Sequence, residues 1–285
     1  MKKRIIFIFS ILVFLNIIAW YVVYEVSEEK PLKVVFFDVG QGDSIFIETP
    51  GRYQILIDGG PDSTVLAKLS KEMPFYDRSI DLVILTHPEH DHIFGLLEVL
   101  RNYRVDNILW TGVVRDNPEW EEWIDLIKKE GARIEIAVSG ERVVLANSYI
   151  DILYPNKPLK GEIHKSLNNT SIVCALKYNN ISFLFTGDIE RSVEEELAES
   201  GKNLKSDVLK VSHHGSKTSS VPLFLEKVLP LFAVISVGRD NKYHHPHPVT
   251  LANLKKFGIE VLRTDRDGSI TFFSDGTKLI YQKEN

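Results

Sequence analysis

Residues Thr86 to His92 read THPEHDH and directly follow the apolar run Leu82 to Leu85. That run has the length and composition of a buried β-strand, so the polar stretch is expected in the loop at its end. Three imidazoles and two carboxylates fall within six consecutive residues. Imidazole and carboxylate groups bind Zn²⁺ and, with more oxygen in the set, Mn²⁺ or Fe²⁺. The stretch predicts a metal site at a strand end; the alternative is a solvated polar loop with chance histidines.

The composition is that of a globular enzyme. The chain has 285 residues, of which 44% are apolar, enough for one large domain with its own core. A formal net charge of −5 gives no strongly basic surface for nucleic acid, although a metal pair can attract phosphate locally. The single cysteine, Cys174, lies in an apolar run and is expected to be a core residue without an intramolecular disulfide.

The N-terminus predicts a membrane anchor. Three cations at positions 2–4 precede twenty uncharged, mostly apolar residues from Ile5 to Tyr24, which would cover about 30 Å as a helix. No small-residue cleavage site follows, so an uncleaved anchor is preferred over a cleaved signal peptide and secretion. The positive-inside rule then places the remaining chain outside the cytoplasm. We expect a signal anchor at 1–25, a linker at 26–32 and a globular domain at 33–285, in a single-pass protein of the cell membrane.

From Lys33 onward, short β-rich runs alternate with helical stretches, and strands outnumber helices. The predicted strands are Lys33–Phe37, Ser44–Glu48, Gln54–Ile57, Leu82–Leu85, Val105–Leu109, Ile134–Val138, Ile150–Leu153, Ser171–Leu176, Ser182–Phe185, Val208–Val211, Ala233–Ser236, Glu260–Leu262 and Ser269–Phe273. Amphipathic segments at Glu119–Glu130 and Ile189–Glu199 predict helices. Two sheets with helices outside would satisfy this order.

The heptapeptide THPEHDH resembles the H-x-[HDE]-x-D-H signature of the metallo-β-lactamase superfamily. Other stretches follow, in order, the pattern of the hydrolase domain of the DNA-uptake channel protein ComEC: FFDVGQGDSIFIETP, LIDGG, NNTSIV, LFTGDIE, LKVSHHGSK, VISVGRDNKYHHPHP and RTDRDGSITFFSDG. The resemblance covers roughly Lys33 to Gln282. It implies an α/β fold, an αββα sandwich with a metal site at one edge, here preceded by one N-terminal transmembrane helix. Because the further membrane spans of a full channel are absent, we expect a stand-alone, singly anchored relative.

The resemblance also implies two divalent metal ions, Zn²⁺ or Mn²⁺. It assigns His87 and Glu89 to one metal and Asp91 and His92 to the other. Glu89 departs from the histidine that is commoner in the superfamily, but ComEC-like domains have a carboxylate at this position. The oxygen-rich ligand set makes Mn²⁺ a serious competitor of Zn²⁺.

The resemblance also implies roles in the chemistry for Asp188, for His213 or His214, and for Ser216. Asp188, in a TGD turn, matches the family's bridging carboxylate; its alternative role is the N-cap of the predicted helix Ile189–Glu199. One of His213 and His214 is expected to bind the second metal, with His213 preferred. His214 or Ser216 would then reach the substrate, so Asp188, His214 and Ser216 are the catalytic candidates.

Other polar residues are expected to support the site or contact substrate. Asp58 is predicted to orient a ligand histidine, as metal-bound imidazoles usually require, or to form a simple turn. Asn169 stands where the wider superfamily commonly has histidine, which leaves one metal with fewer ligands unless its carbonyl oxygen contributes. His245 and His247 are expected to reach the substrate or a metal, or to begin a helix. His90 is expected to face solvent or support the site.

The implied reaction is metal-dependent hydrolysis. Two divalent ions about 4 Å apart lower the pKa of a water between them and stabilise the attacking and leaving oxygens. The ComEC resemblance implies a phosphodiesterase or nuclease that acts on DNA, linked to DNA uptake. The expected partners are a DNA or other phosphodiester substrate and the membrane, and no stable protein partner is indicated. The alternatives are a small-molecule ester, lactone or amide hydrolase and a non-catalytic anchored binding module.

Overall fold

The computed structural model describes residues 2–27 and 30–284. The chain forms two compact units, Met1–Lys30 and Pro31–Asn285, and each is described by itself. Positions 28 and 29 of the predicted linker at 26–32 lie outside the described residues, as do the two terminal residues.

The first unit contains helix α1, Lys2–Ser27, which is 26 residues long. Its segment Lys2–Tyr21 is apolar, and none of the side chains in its most apolar window is buried. At 1.5 Å per residue the helix measures about 39 Å, more than the roughly 30 Å of a bilayer's hydrocarbon core. The helix is therefore long and apolar enough to cross a membrane.

The second unit is built on two sheets. The first has eight strands in the order β15-β14-β1-β2-β3-β4-β5-β6. Its strands are β1 Leu32–Phe36, β2 Ile45–Glu48, β3 Gln54–Ile57, β4 Ser79–Leu85, β5 Arg104–Trp110, β6 Arg133–Ile136, β14 Ile270–Ser274 and β15 Leu279–Lys283. The second has seven strands in the order β13-β12-β11-β10-β9-β8-β7. Its strands are β7 Arg142–Leu145, β8 Ser148–Tyr154, β9 Val173–Tyr178, β10 Ile181–Phe185, β11 Val208–Lys210, β12 Phe232–Ile235 and β13 Glu260–Arg263.

Helices cover the outer faces of both sheets. They are α2 Thr64–Glu72, α3 His90–Asn102, α4 Pro118–Glu130, α5 Arg191–Glu199, α6 Pro222–Val228, α7 Pro248–Lys256 and the short α8 Thr264–Asp267. Helices α2, α3 and α4 share an apolar cluster with the first sheet. Helices α5, α6 and α7 share another with the second sheet. These layers confirm the predicted αββα sandwich.

Strand β1 shows how the sequence builds these layers. Successive side chains of a strand point to opposite faces of its sheet. Val34 and Phe36 therefore enter the cluster between the two sheets, whereas Val35 and Phe37 pack beneath the outer helices. Cys174 lies in the cluster between the sheets and is fully buried, in agreement with its expected core role. Burial raises the pKa of its thiol to about 12, so it stays protonated.

Strand direction gathers the functional loops at one edge. Strands β3, β4, β5 and β6 run parallel, and so do β10, β11, β12 and β13. Parallel strands bring their carboxyl ends to the same edge of a sheet. The loops that begin at Asp58, Thr86, Thr186 and Val211 follow β3, β4, β10 and β11. They converge at this edge, where the sequence predicts the metal site.

Candidate metal centre

The loop THPEHDH joins β4 to α3 and is held from below by Asp58. The Asp58 carboxylate accepts hydrogen bonds from the Thr86 backbone N–H at 2.8 Å and from the Thr86 hydroxyl at 2.7 Å. Its Oδ2 also lies 2.8 Å from His92 Nδ1. Asp58 is fully buried, so these contacts replace the water that a carboxylate would otherwise bind. Asp58 thus fixes the loop and the orientation of the His92 ring.

Four side chains from three segments, the start of α3 and the loops after β10 and β11, meet at this edge. Ligand atoms of Asp91, His92, Asp188 and His214 all lie within 4.8 Å of one another. Asp188 Oδ2 is 3.4 Å from His92 Nε2 and 3.2 Å from His214 Nε2. Asp91 Oδ2 is 3.2 Å from His214 Nε2. We call these four residues the metal cluster.

A close approach of two loops brings Asp188 to the metal cluster. Gly187 has a φ of +51°, and a Cβ there would lie 2.7 Å from the Cβ of Ser171 and 3.2 Å from that of Thr86. Only glycine fits such a position without a shift of its neighbours. The Asp188 backbone N–H donates to the Ser171 hydroxyl at 3.0 Å, which fixes the turn. The turn therefore presents the Asp188 carboxylate to both histidines.

Three buried imidazoles have a hydrogen-bond partner on Nδ1 and none on Nε2. His92 Nδ1 is bonded to Asp58, and His214 Nδ1 donates to the Ser236 carbonyl oxygen at 2.8 Å. The Thr86 hydroxyl donates to Asp58 and therefore accepts from His87 Nδ1, at 3.1 Å. The Nε2 atoms of all three histidines are buried and have no hydrogen-bond partner. A second partner on Nδ1 is the arrangement that directs a lone pair on Nε2 toward a metal.

Lys210 lies buried behind the metal cluster. Its ammonium donates to the Gly187 carbonyl oxygen at 2.8 Å and to Asp188 Oδ1 at 3.3 Å. It also forms an ion pair with Asp43, and both side chains are almost fully buried. Sequence reasoning missed Lys210, because a lysine at a strand end ordinarily faces solvent. Its charge offsets part of the carboxylate charge that converges here.

The electrostatics follow from burial and pairing. Burial alone would lower the pKa of His92, but the charges of Asp188 and Asp58 raise it well above its ordinary range. Burial also disfavours the charged form of His214, but the charge of Asp188 favours it. The pKa of His214 therefore rises to about 10. Burial also opposes ionisation of Asp188, but His214 and His92 hold its pKa well below the usual value. By contrast, burial and the neighbouring His92 charge lower the pKa of His87. Without metal, His92 and His214 therefore act as the counter-cations of the carboxylates.

The residues present fit a divalent cation. The metal cluster supplies two carboxylates and two imidazoles, and His87 adds a third Nε2 beside the His92 ring, at a centroid distance of 4.1 Å. The buried His87 Nε2 has no hydrogen-bond partner, and the Nε2 atoms of His92 and His214 face only the carboxylates that would share the ion with them. A mixed nitrogen and oxygen donor set suits Zn²⁺ and Mn²⁺. Asp91, His92, Asp188 and His214 would hold one ion.

Glu89 lies outside the metal cluster, and its expected role as a metal ligand stays a prediction. It is the residue before the first turn of α3. Its Oε2 accepts a hydrogen bond from Arg115 Nη1 at 2.9 Å, and the same nitrogen donates to the Pro88 carbonyl oxygen at 2.6 Å. The charged partner of this carboxylate is thus Arg115, which comes from the loop after β5. His90 also points outward, paired with Glu119 at 2.8 Å and exposed by 54% of its side chain.

His214, rather than His213, belongs to the metal cluster. Both residues have positive φ, 49° and 52°, in a tight turn after β11. The turn directs His214 inward to Asp188, whereas His213 Nε2 lies 3.4 Å from Asn168 Nδ2. The structure thus favours His214 as the candidate ligand, and the expected role of His213 stays a prediction. The Ser216 hydroxyl lies 3.2 Å from the Thr218 hydroxyl, and its expected contact with the substrate stays a prediction.

The structure shows what Asn169 contacts and which residue caps helix α5. Asn169 Oδ1 accepts from the Glu190 backbone N–H at 2.8 Å, and its Nδ2 lies 3.4 Å from the Ser192 hydroxyl. Asn169 thus supports the start of α5, and the neighbouring Asn168 is the one that contacts His213. Helix α5 begins at Arg191 with Glu190 as its N-cap. Asp188 is therefore not the helix cap.

His245 and His247 have different surroundings. His247 is the N-cap of α7, and its Nδ1 accepts from the Val249 backbone N–H at 3.2 Å. It begins a helix, the simpler of the two expected roles. The His245 ring lies 5.7 Å from the ring of His213, between centroids, and so lies beside the metal cluster.

A buried carboxylate supports the turn that carries His214 and gives a testable pH dependence. Glu194 accepts hydrogen bonds from the Ser212 hydroxyl and from the backbone N–H groups of Ser220 and Val221, at 2.8 to 2.9 Å. Burial nevertheless raises its pKa from 4.5 to about 7. Because the folded-state pKa is raised, the stabilisation is present below pH 4.5 and is lost as pH rises through 7.

We therefore expect the melting temperature of the wild type to fall, relative to that of Glu194→Gln, as pH increases from 5 to 8. Differential scanning fluorimetry of both proteins across this range measures the effect. The Glu195→Gln variant, at a partly exposed position of the same helix, should keep the wild-type slope. A constant difference between the wild type and Glu194→Gln would show that Glu194 does not titrate in this range.

Comparison with known proteins identifies the family. The sequence profile of the metallo-β-lactamase superfamily matches residues 37–239. ComE operon protein 3 of Bacillus subtilis (strain 168) is 33% identical over 257 residues, which cover 84% of this chain and 33% of that protein. Competence protein ComA of Neisseria gonorrhoeae is 31% identical over 255 residues, which cover 87% of this chain and 33% of that protein. The chain thus spans about a third of the length of these curated relatives.

A solved structure shows the same fold. The metallo-β-lactamase fold protein YhfI from Bacillus subtilis superposes with a TM-score of 0.56 at 17% sequence identity, covering 82% of this chain and 96% of that one. This chain therefore belongs to the metallo-β-lactamase superfamily, and its resemblance to ComEC-like proteins is confirmed by the competence-protein relatives.

Proposed function

We propose that this metallo-β-lactamase superfamily protein is a metal-dependent phosphodiesterase that cleaves DNA. The observation that carries the proposal is the metal cluster, in which Asp91, His92, Asp188 and His214 converge with orphaned Nε2 atoms. Two of its relatives are named for competence or its operon, and DNA is the substrate class that this resemblance favours. A divalent pair, Zn²⁺ or Mn²⁺, is the cofactor we infer.

The protein's own residues prepare the site for hydrolysis by water. Asp58 fixes the His92 ring, and the Ser236 carbonyl fixes that of His214. Asp188 is held between these rings and Lys210. When bound, divalent ions supply Lewis acidity toward a phosphate oxygen and lower the pKa of water.

Among the described residues, the metal cluster contains no serine or cysteine that could act as a nucleophile. The Ser171 hydroxyl donates to the Asn168 carbonyl oxygen at 2.6 Å and accepts from the Asp188 N–H. Cys174 lies in the core with a raised pKa. The residues at this edge therefore favour direct attack by water over a covalent enzyme intermediate.

The proposed location is the outer face of the cell membrane. Helix α1 would span the bilayer, with the cations Lys2, Lys3 and Arg4 on the cytoplasmic side. The chain enters the second unit at the amino end of β1, whereas the metal cluster follows the carboxyl ends of β4 and β10. Within the second unit, the metal cluster therefore lies at the opposite strand ends from the point at which the chain enters.

Nuclease assays with the full chain in detergent test the proposal. We expect DNA cleavage with Mn²⁺ or Zn²⁺, and none in EDTA. His214→Asn should lose cleavage because it removes an imidazole of the metal cluster, whereas the exposed His90→Asn should retain it. RNA and a chromogenic ester are assayed in parallel. Cleavage of the ester with no cleavage of nucleic acid would contradict the proposal and favour a small-molecule hydrolase.

A further inference from the structure

A row of rings connects the protein surface to the metal cluster. The rings of Tyr243 and His245 are stacked, with centroids 5.7 Å apart and planes inclined by 24°. His245 meets His213 edge-on at 5.7 Å, and His213 meets His214 at 6.2 Å. The row ends at His92, whose centroid is 5.6 Å from that of His214. Three of these five rings lie outside the metal cluster, and the proposed hydrolysis gives them no role.

The outer end of the row is exposed and carries a cation. Tyr243 is 55% exposed, although it is a large aromatic residue. The ammonium of the exposed Lys242 lies 5.2 Å from the Tyr243 ring centroid. A single exposed aromatic residue is ordinary on a protein surface. This one differs because it is stacked on a ring that leads, contact by contact, to a candidate phosphate-cleaving centre.

The loop that carries Tyr243 is closed by hydrogen bonds. Asn241 Nδ2 donates to the carbonyl oxygens of Gly238 and His245, at 2.9 and 2.8 Å. Asn241 Oδ1 accepts from the His245 backbone N–H at 2.9 Å. The Gly238 N–H donates to Gln41 Oε1 at 3.1 Å, which ties the loop to the first sheet. Tyr243 is therefore held in place before any ligand arrives, which lowers the entropic cost of binding.

We propose that Tyr243, backed by His245 and flanked by Lys242, is a stacking platform for a nucleobase of single-stranded nucleic acid. This inference rests on the proposed function and adds a substrate class to it. Every base has a π face, so an exposed ring beside a cation binds single strands without sequence preference. A base on Tyr243 displaces the Lys242 ammonium from the ring, and that flexible side chain pairs with a neighbouring phosphate. A duplex keeps its bases stacked inside, so the platform selects single strands.

A substrate lacking bases provides a sharp test. The full chain in detergent is mixed, in EDTA, with a fluorescent oligothymidylate or with the same sugar-phosphate backbone without bases, and binding is measured by anisotropy. We expect the wild type to bind oligothymidylate more tightly. Tyr243→Ala should weaken that binding about tenfold, as expected for one stacked base. The same variant should leave binding of the baseless strand almost unchanged.

Two variants separate stacking from loss of structure. Tyr243→Phe keeps the ring and should bind oligothymidylate nearly as well as the wild type. Tyr76→Ala removes a tyrosine that is more exposed than Tyr243, by 77%, and lies outside the row, and it should not change binding. The proposal would be overturned if Tyr243→Ala weakened binding of both strands equally or of neither strand. It would also be overturned if the wild type did not bind oligothymidylate. Binding is measured without metal and is therefore independent of cleavage. A wild type that prefers the strand with bases but cleaves no nucleic acid would contradict the proposed function and leave the platform standing.

Discussion

Replacing Asp188 with alanine is expected to remove bound divalent metal and to reduce phosphodiester cleavage at least about 100-fold. Loss of a residue that merely orients a ligand typically costs 10- to 100-fold in metal affinity or activity, and Asp188 lies in the metal cluster itself. Its Oδ2 faces both His92 and His214, and its Oδ1 faces Lys210. Without this carboxylate, three buried groups that are cationic in the metal-free protein would face one another. Metal binding would then have to overcome their repulsion with one ligand fewer.

Metal content by mass spectrometry and cleavage rates measured on the same preparation test this expectation. Asp188→Asn keeps the size of the side chain and removes its charge, so it should also lose metal. The matched control is Asp106→Ala, which removes a partly exposed carboxylate on β5. Wild-type metal content in Asp188→Ala would show that the ion binds elsewhere.

Replacing Lys210 with methionine is expected to destabilise the metal-free protein by about 3–5 kcal/mol. Removal of one partner of a buried ion pair leaves the other charge buried and uncompensated, and such losses are of this size. Here the Lys210 ammonium is fully buried and contacts both Asp43 and Asp188. Methionine preserves the apolar stem but supplies no charge and no hydrogen-bond donor.

Urea unfolding of the full chain in detergent with EDTA, followed by tryptophan fluorescence, measures this cost. The double variant Lys210→Met, Asp43→Asn should regain part of the lost stability, because it removes one uncompensated carboxylate. Added Mn²⁺ should stabilise Lys210→Met more than the wild type, since the divalent ion then meets one positive charge fewer. The exposed Lys128→Met is the control. A cost below about 1 kcal/mol, comparable to a surface ion pair, would contradict the buried role of Lys210.

The fold was predictable because its strands are short apolar runs separated by polar turns. β3, Gln54–Ile57, was placed at its observed bounds, and the other predicted strands differ by a few residues at their ends. β7 and β15 were missed. Both are edge strands in which most side chains are partly or fully exposed. Within their bounds each has an apolar run of only three residues, shorter than the run that marks a strand buried on both faces.

The site was only partly predictable, because motif spacing fixes where the backbone goes and not where each side chain points. His213 and His214 are adjacent in the same turn, and only the tertiary contacts distinguish them, since His214 is the one that meets Asp188. Glu89 follows the signature, but its observed partner is Arg115 from a distant loop. Lys210 gives no signal at all without its partner Asp43, which lies far from it in the sequence. Glu89 and Lys210 both pair with residues that are distant in the sequence, and a local motif does not reveal such pairs.

The most direct test of the metal centre is an anomalous difference map from crystals of the protein grown with Mn²⁺. We predict a peak in contact with Asp91, His92, Asp188 and His214, with Asp58 still bonded to His92 Nδ1. A protein crystallised with Mn²⁺ that shows no ion among these four side chains, or an ion only at another place, would contradict the account.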